Sequence, residues 1–501
     1  MSNKIPVGFK DYSVRLKICE YIIIFFVSAS FITLFSLWTS PFFKDWYGCD
    51  ASFFTLVGRG ITSGKVMYRD FYDLKGPYFF FIEALGQLVC KGRTGAYILQ
   101  IAALFASSCL IYNIALMFVN RAKSAFILIV FYCCSISTLW GGNTLEEFML
   151  PLSLLCLYLT CRIFILADTA NFAAAGIPSY IPLILGSAFC IMALSKISVS
   201  GTVLGIAAAL IYMFLINRKW SELFLFLVYF LLGACIVSLP IIIYFAYNNA
   251  LLEMLRCVFV IGFRRSADFA ELFNITWELK CLGAVFAFVF AVLHRRRLPV
   301  IFPVMLMAMS AATYILLHLG TPFYYYFTSA YPCLILALAL FLKLYDPLFI
   351  FENLKQAICL ILFAVFLFYY IPASLDTVRT VIYDRSNESY GEYVSDSKDL
   401  AALIPECDRG SVFSFLIDMQ WYEINDMIPC GRFVVNVPFF IDLDENALSE
   451  IEDFLNNTPP KWILCGDCLD LNIKEAYDII DSKYTCIYEN SVGHLYLLNE
   501  D

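Results

Sequence analysis

Eleven separate runs of apolar residues constrain this 501-residue chain more than any other feature. They fall at about 20–39, 94–118, 124–140, 148–166, 179–195, 200–216, 222–246, 278–293, 299–317, 323–342 and 356–372. A membrane-spanning helix needs ~20 predominantly apolar residues, because the hydrocarbon offers its backbone no water to bond. The runs therefore predict a polytopic α-helical membrane protein with about eleven transmembrane helices. Composition agrees, with 61% apolar residues and 15% charged ones.

Charge distribution orients the chain. Cytoplasmic connectors of membrane proteins carry an excess of Lys and Arg. The tight connectors NRAK (120–123), NRKW (217–220) and HRRR (294–297) fall on one side together with Lys4, Lys10, Arg15 and Lys17. That side is expected to be cytoplasmic, with residues 1–19 preceding an uncleaved anchor. An odd number of spans then places the C-terminus outside. Residues 1–372 are expected to form the membrane domain, and 373–501 a small extracytoplasmic α/β domain. In the second part, short β-rich runs (Ser411–Leu416, Arg432–Val437, Trp462–Cys465, Tyr484–Tyr488, His494–Leu498) alternate with helical stretches. This tail is acid-rich and carries the net charge of -8. It has no basic face with interleaved aromatics, so nucleic acid is not an expected partner. It also lacks a glycine-rich phosphate loop.

Most of the 19 cysteines lie within apolar runs, where Cys packs as a small hydrophobe. Cys465 and Cys468 form a lone CxxC, and without a second pair or nearby histidines it reads as incidental thiols or a disulfide. No His/Cys/Glu set has metal-ligand spacing, so the residues leave dependence on a divalent metal open.

Cations that break the charge rule need another reason to be where they are. They cluster around 44–93 and 256–265. The first cluster follows the first apolar run and holds Asp50, Arg59, Lys65, Arg69, Asp70, Asp73 and Lys75 between Trp46 and Pro77. Ionisable groups set against a bilayer are expensive to desolvate and mark functional sites. The segment reads as an amphipathic interfacial helix (51–61), a Gly-bounded turn, the stretch Tyr68–Pro77, and a second apolar helix (78–89). Such a loop would hold carboxylates and cations at headgroup level. Either the charges pair with one another within a buried loop, or they serve a reaction on a lipid-borne phosphate ester. In the second case Lys or Arg neutralises the phosphate, and a carboxylate takes the acceptor's proton.

These residues resemble the first loop of bacterial GT-C glycosyltransferases, the polytopic group that includes protein O-mannosyltransferases and aminoarabinose transferases. Asp50 just past the first span, Tyr68-Arg69-Asp70, and Lys75-Gly76-Pro77 at the start of a helix carry the similarity. Glu146 and Glu147 before Pro151, and Tyr324–Phe327 ahead of Tyr331-Pro332, extend it over roughly the first 350 residues. The resemblance implies a GT-C fold and an inverting transfer from a polyprenyl-phosphate-linked sugar donor. The acceptor would be a glycan, a lipid or a protein. Asp50 would be the catalytic base and Lys75 the phosphate holder, helped by Arg69. Asp70 and Asp73 would be substrate-binding, and Glu146 or Glu147 would contact sugar or acceptor. Some members carry two adjacent acidic residues at the first site, whereas Ala51 follows Asp50 here.

Other candidates have two readings each. Lys196 reaches a phosphate or snorkels at a helix end. Tyr325 and its neighbours stack on a sugar or belong to an interfacial belt. Arg264 and Arg265 steer an anion or merely face solvent, and His318 is a ligand or a satisfied interfacial histidine. Two competing functions are a transporter or lipid flippase, which would carry ionisable residues deep within its spans, and an envelope polysaccharide polymerase or ligase, which would use a large late loop.

Overall fold

The computed structural model describes residues 14–166, 176–266, 275–319, 323–345, 353–385, 389–434, 437–467 and 473–499. The first part of the chain is helical: α1 (Val14–Phe35), α2 (Cys49–Thr62), α3 (Pro77–Val89), α4 (Arg93–Leu116), α5 (Arg121–Thr138), α6 (Leu145–Leu166), α7 (Tyr180–Ala193), α8 (Gly201–Ile216) and α9 (Trp220–Tyr247). Short α10 (Leu251–Leu255), α11 (Gly262–Ser266) and α12 (Ile275–Lys280) precede α13 (Leu282–His294) and α14 (Ile301–Leu317). A 3₁₀ segment (Tyr324–Ala330) then leads into α15 (Tyr331–Leu344), and α16 spans Leu354–Arg385.

Among the described residues, eight helices are long and apolar enough to cross a membrane, against the eleven expected. The other three expected runs are helical but short: α7 and α13 hold 14 and 13 residues, and α14 holds 17. At 1.5 Å per residue, 14 residues reach only about 21 Å. Hydropathy registers an apolar run without registering where its helix ends, which explains the difference.

Helices of similar hydropathy occupy different places. Only 17% of the most apolar window of α9 is buried, whereas 83% is buried in the segment Tyr324–Leu344. Helix α9 therefore turns its side chains to lipid, and α15 forms the centre of the bundle. Because lipid is as apolar as leucine, helices in a membrane associate through close contact at small residues. The packing of α7 along α9 follows this rule: a Cβ on Gly186 would lie 1.8 Å from the Phe230 carbonyl oxygen, and one on Gly233 would lie 2.0 Å from that of Leu183.

Helix α16 continues through Pro372 for 32 residues. At about 48 Å it exceeds the ~30 Å hydrocarbon core, and so carries the chain past one face of the bundle. There follow α17 (Ser389–Ala402), β1 (Val412–Phe415), α18 (Gln420–Ile424), α19 (Val437–Leu443), α20 (Ala447–Asn457), β2 (Trp462–Cys465), α21 (Lys474–Lys483), β3 (Tyr484–Asn490) and β4 (Gly493–Leu498). The sheet order is β1-β2-β4-β3; β1 and β2 run parallel and the remaining pairs antiparallel.

Four of the five expected β-rich runs are strands. The fifth, Arg432–Val437, is not a strand over its described residues. The Arg432 carbonyl accepts the Tyr72 N–H at 2.9 Å, so this backbone serves the first loop instead of a ladder. Cys468 of the CxxC lies outside the described residues.

The first loop packs against the C-terminal part of the chain. Arg59 of α2 pairs with Asp426 at 2.5 Å and donates to the carbonyls of Tyr422 and Met427. The Tyr72 hydroxyl donates to Asp444 at 2.6 Å, and Asp444 also pairs with Arg256.

Candidate active site

Helix α2 begins at an extended Gly48, so Asp50 sits in its first turn, where the unpaired N–H groups favour negative charge. After α2 the chain turns sharply at Tyr68, which has φ +70° and is fully buried. Asp70 accepts the Val66 N–H at 2.6 Å, and the Tyr68 hydroxyl donates to the Lys75 carbonyl at 2.8 Å. Asp73 accepts the Lys75 N–H at 2.6 Å, and its second oxygen lies 3.5 Å from Nζ of Lys75. This network holds Lys75 at the start of α3, with its ammonium 4.8 Å from the centre of the Phe54 ring.

Gly76 then joins two distant segments. Its N–H donates to the Ser195 carbonyl at 2.7 Å, and a Cβ there would lie 2.0 Å from the Leu194 oxygen. The contact sets the backbone at Lys75 next to the segment that carries Lys196, which follows the end of α7. Lys196 Nζ lies 2.8 Å from Oε1 of Glu146, a residue 2% exposed at the start of α6, and 3.0 Å from the centre of the Tyr326 ring. Tyr325 is 5.7 Å from the same ammonium. The charges of Glu146 and Asp50 both act on the Tyr325 hydroxyl, and those of Asp50 and Lys75 both act on the Cys49 thiol. Asp50, Lys75, Glu146, Lys196 and Tyr325 thus surround one region on the face that carries the C-terminal domain.

Other expected site residues lie elsewhere. Arg69 pairs with Asp70 at 2.9 Å. Burial opposes ionisation of Asp70, but the hydrogen bonds from Arg69 and the Val66 N–H hold its carboxyl below the usual range. Both residues line a separate cleft of about 190 Å³ against Arg432, Phe433 and Glu450 of the C-terminal domain. Glu147 points away from Lys196. It accepts the N–H and hydroxyl of Thr144, each at 2.9 Å, and the Gln100 amide at 2.7 Å. The carboxylate reaching back to the Thr144 N–H is the acidic half of a capping box and satisfies an unpaired donor at the helix start. Arg264 is 3.5 Å from Glu445. His318 donates its Nδ1–H to the Tyr314 carbonyl at 2.8 Å, and its Nε2 lies 3.3 Å from Glu278, as in a satisfied interfacial histidine.

The sequence reading missed the rings beneath the lysines. Tyr326, rather than its neighbour Tyr325, lies under Lys196, and Lys280 sits 3.9 Å from the Tyr324 ring. Run composition pointed at the tyrosines, but the phase of the 3₁₀ turn decides which ring meets which cation. Among the described residues no group of three or more His, Cys, Asp or Glu side chains is placed to hold a metal ion.

The polytopic bundle, the first loop packed on it and the small sheet after the last long helix together have a fold of the GT-C type. In particular, the chain is similar to ArnT from Cupriavidus metallidurans bound to undecaprenyl phosphate, with a TM-score of 0.61 and 11% identity over 97% of this chain and 98% of that one. It is also similar to the oligosaccharyltransferase AglB from Archaeoglobus fulgidus in complex with an inhibitory peptide and a dolichol-phosphate, with a TM-score of 0.52 and 11% identity over 97% and 75% of the two chains. No family model and no curated protein sequence matches the chain. At this identity the likeness is one of fold.

Proposed function

We propose that this protein is an integral-membrane glycosyltransferase that moves a hexose or pentose from a polyprenyl-phosphate donor to an acceptor at the outer face of the cell membrane. In this reading the shorter α7, α13 and α14 complete eleven passes. The N-terminus is cytoplasmic and the C-terminal domain extracytoplasmic, as the positive connectors indicate.

The observation that supports the reading is the backbone bond from Gly76 to Ser195, which joins the segments that carry Lys75 and Lys196. An acceptor hydroxyl or amine attacks the anomeric carbon and gives its proton to the Asp50 carboxylate. The bond from that carbon to the phosphate oxygen breaks, and polyprenyl phosphate departs with the electron pair. Lys75 and Lys196 neutralise the charge that grows on the leaving phosphate. A single displacement inverts the anomeric configuration. Glu146 keeps Lys196 aimed and contacts sugar or acceptor, and Tyr325 offers a ring face to the sugar. The dolichol-phosphate and undecaprenyl-phosphate bound by the similar structures support a polyprenyl carrier here.

The test is a transfer assay with purified protein and a panel of radiolabelled polyprenyl-phosphate sugars. Transfer from one of them, dependent on Asp50 and Lys75, is expected. Activity with nucleotide sugars alone would overturn the donor class.

A further inference from the structure

Glu83 is the most anomalous charged group outside the region just described. It lies on α3, 1% exposed, and neither carboxyl oxygen has a hydrogen-bond partner. Asn143 faces it from the turn before α6. Asn143 is also 1% exposed, and both polar atoms of its amide are equally without a partner. Four orphaned polar atoms in one buried place carry a large desolvation cost unless they satisfy one another.

Donor and acceptor arithmetic decides how they can. A carboxylate offers two acceptors; a primary amide offers one acceptor and one donor group. With Glu83 ionised, the Asn143 NH₂ finds an acceptor, but its carbonyl oxygen faces a second oxygen. With Glu83 protonated, O–H donates to Asn143 Oδ1 and Nδ2–H donates back, and all four atoms are satisfied.

The backbone at Asn143 gives this pair something to hold. Trp140, Gly141, Gly142 and Asn143 all have positive φ, from +51° to +92°. The two glycines adopt such conformations freely, but Trp140 and Asn143 hold them only where surrounding contacts favour it. A Cβ on Gly142 would lie 2.1 Å from the Ser36 hydroxyl, so the turn is pressed against the segment after α1. Three residues after Asn143 stands Glu146, the partner of Lys196.

We propose that Glu83 is a positioning residue that carries a proton in the working enzyme, and that its acid–amide pair with Asn143 clamps the strained turn presenting Glu146 to Lys196. The inference rests on the proposed transfer reaction for its activity readouts. Burial favours a neutral carboxyl more strongly than the hydrogen bond from Asn143 opposes it. Burial pushes the Glu83 pKa from the ordinary 4.5 up to about 8 against the lowering by Asn143, and Glu423 from α18 and Glu147 from α6 add to the rise. Burial likewise raises Glu423, while Arg93 and Arg59 act against it. The clamp is therefore complete at neutral pH and is lost as pH rises through about 8. The linkage has the same sign: the folded protein keeps a proton that an exposed glutamate releases, so this group's stability is full below the ordinary pKa and falls as pH climbs toward 8.

Infrared difference spectroscopy of wild type against Glu83→Gln at pH 7 tests the proton directly. A protonated-carboxyl carbonyl band belonging to Glu83, fading above pH 8, is expected. Its absence overturns the proposal whatever the enzyme transfers. Glu83→Gln rebuilds the pair as two amides, so transfer at neutral pH stays close to wild type and the loss on the alkaline side disappears. Asn143→Gly keeps a residue suited to positive φ but deletes the amide, and transfer falls about tenfold or more. Asn143→Asp alone sets two acids against each other and lowers transfer, and adding Glu83→Gln restores one acid–amide pair at the same chain lengths, and with it transfer. An unchanged alkaline loss in Glu83→Gln, or full activity in Asn143→Gly, overturns the clamp. If no polyprenyl-phosphate sugar is a donor, the reaction reading fails while the spectroscopic result still decides the proton.

Discussion

Replacing Lys196 with methionine removes an ammonium from Glu146, a carboxylate only 2% exposed whose second oxygen already lacks a partner. Breaking a buried ion pair by deleting one partner costs about 3–5 kcal/mol, chiefly because the other charge is stranded. The lysine side chain is 23% exposed, which favours the lower end, about 3 kcal/mol. Converting Glu146 to glutamine as well removes the stranded charge and brings the fold back to within about 1 kcal/mol of wild type. The pair should therefore show a coupling of at least about 2 kcal/mol in a double-mutant cycle of unfolding in detergent, larger by whatever Glu146→Gln costs alone. Transfer should behave differently. If Lys196 contacts the donor phosphate, its loss removes a charge-assisted hydrogen bond worth about 1.5–3 kcal/mol, or roughly 10- to 150-fold in kcat/KM. The double variant should be stable and still impaired by that factor. Recovery of transfer together with stability would refute the reasoning and leave Lys196 as nothing more than the counter-ion of Glu146.

Asp50→Asn should lower kcat by about 10²- to 10⁴-fold, the usual worth of a general base, with donor binding and thermal stability intact; a fully active variant dismisses Asp50 as the base. Gly76→Ala forces a methyl into the Leu194 carbonyl and should cost about 1–3 kcal/mol of stability, while raising KM for the donor as Lys75 and Lys196 separate; unaltered donor kinetics would show that this approach does not build the site. Tyr72→Phe deletes the hydroxyl that donates to Asp444 and should loosen the C-terminal domain by about 1 kcal/mol, read as faster proteolysis within the domain, with hydrogen exchange in the core of α15 unchanged.

Much of the architecture was legible because membrane helices obey a simple constraint. Every expected apolar run is helical, and the two helices expected in the first loop lie within two residues of their expected positions. The candidate site was legible in its charges, since a lysine or carboxylate against a bilayer stands out from any apolar background. Its assembly was less so. Glu146 and Glu147 are adjacent in sequence, yet one meets Lys196 and the other caps its own helix. Asp70 and Asp73 are three residues apart, yet one faces the cleft against the C-terminal domain and the other faces Lys75. Glu83 drew no attention, because a single acid within an apolar helix has no pattern to betray it.

By itself, then, the sequence determined that the chain is a helical membrane protein, that its C-terminal part mixes strands and helices, and that unusual charges gather after the first apolar run. These follow from hydropathy and spacing, which are properties of each segment alone. Tertiary structure decided which charges meet. The backbone bond from Gly76 to Ser195 joins segments more than a hundred residues apart, the 3₁₀ turn selects Tyr326 for Lys196, and a left-handed turn lays Asn143 against Glu83. Each depends on the direction of a bond or on the absence of a Cβ at a crossing, and such information belongs to pairs of segments rather than to either one.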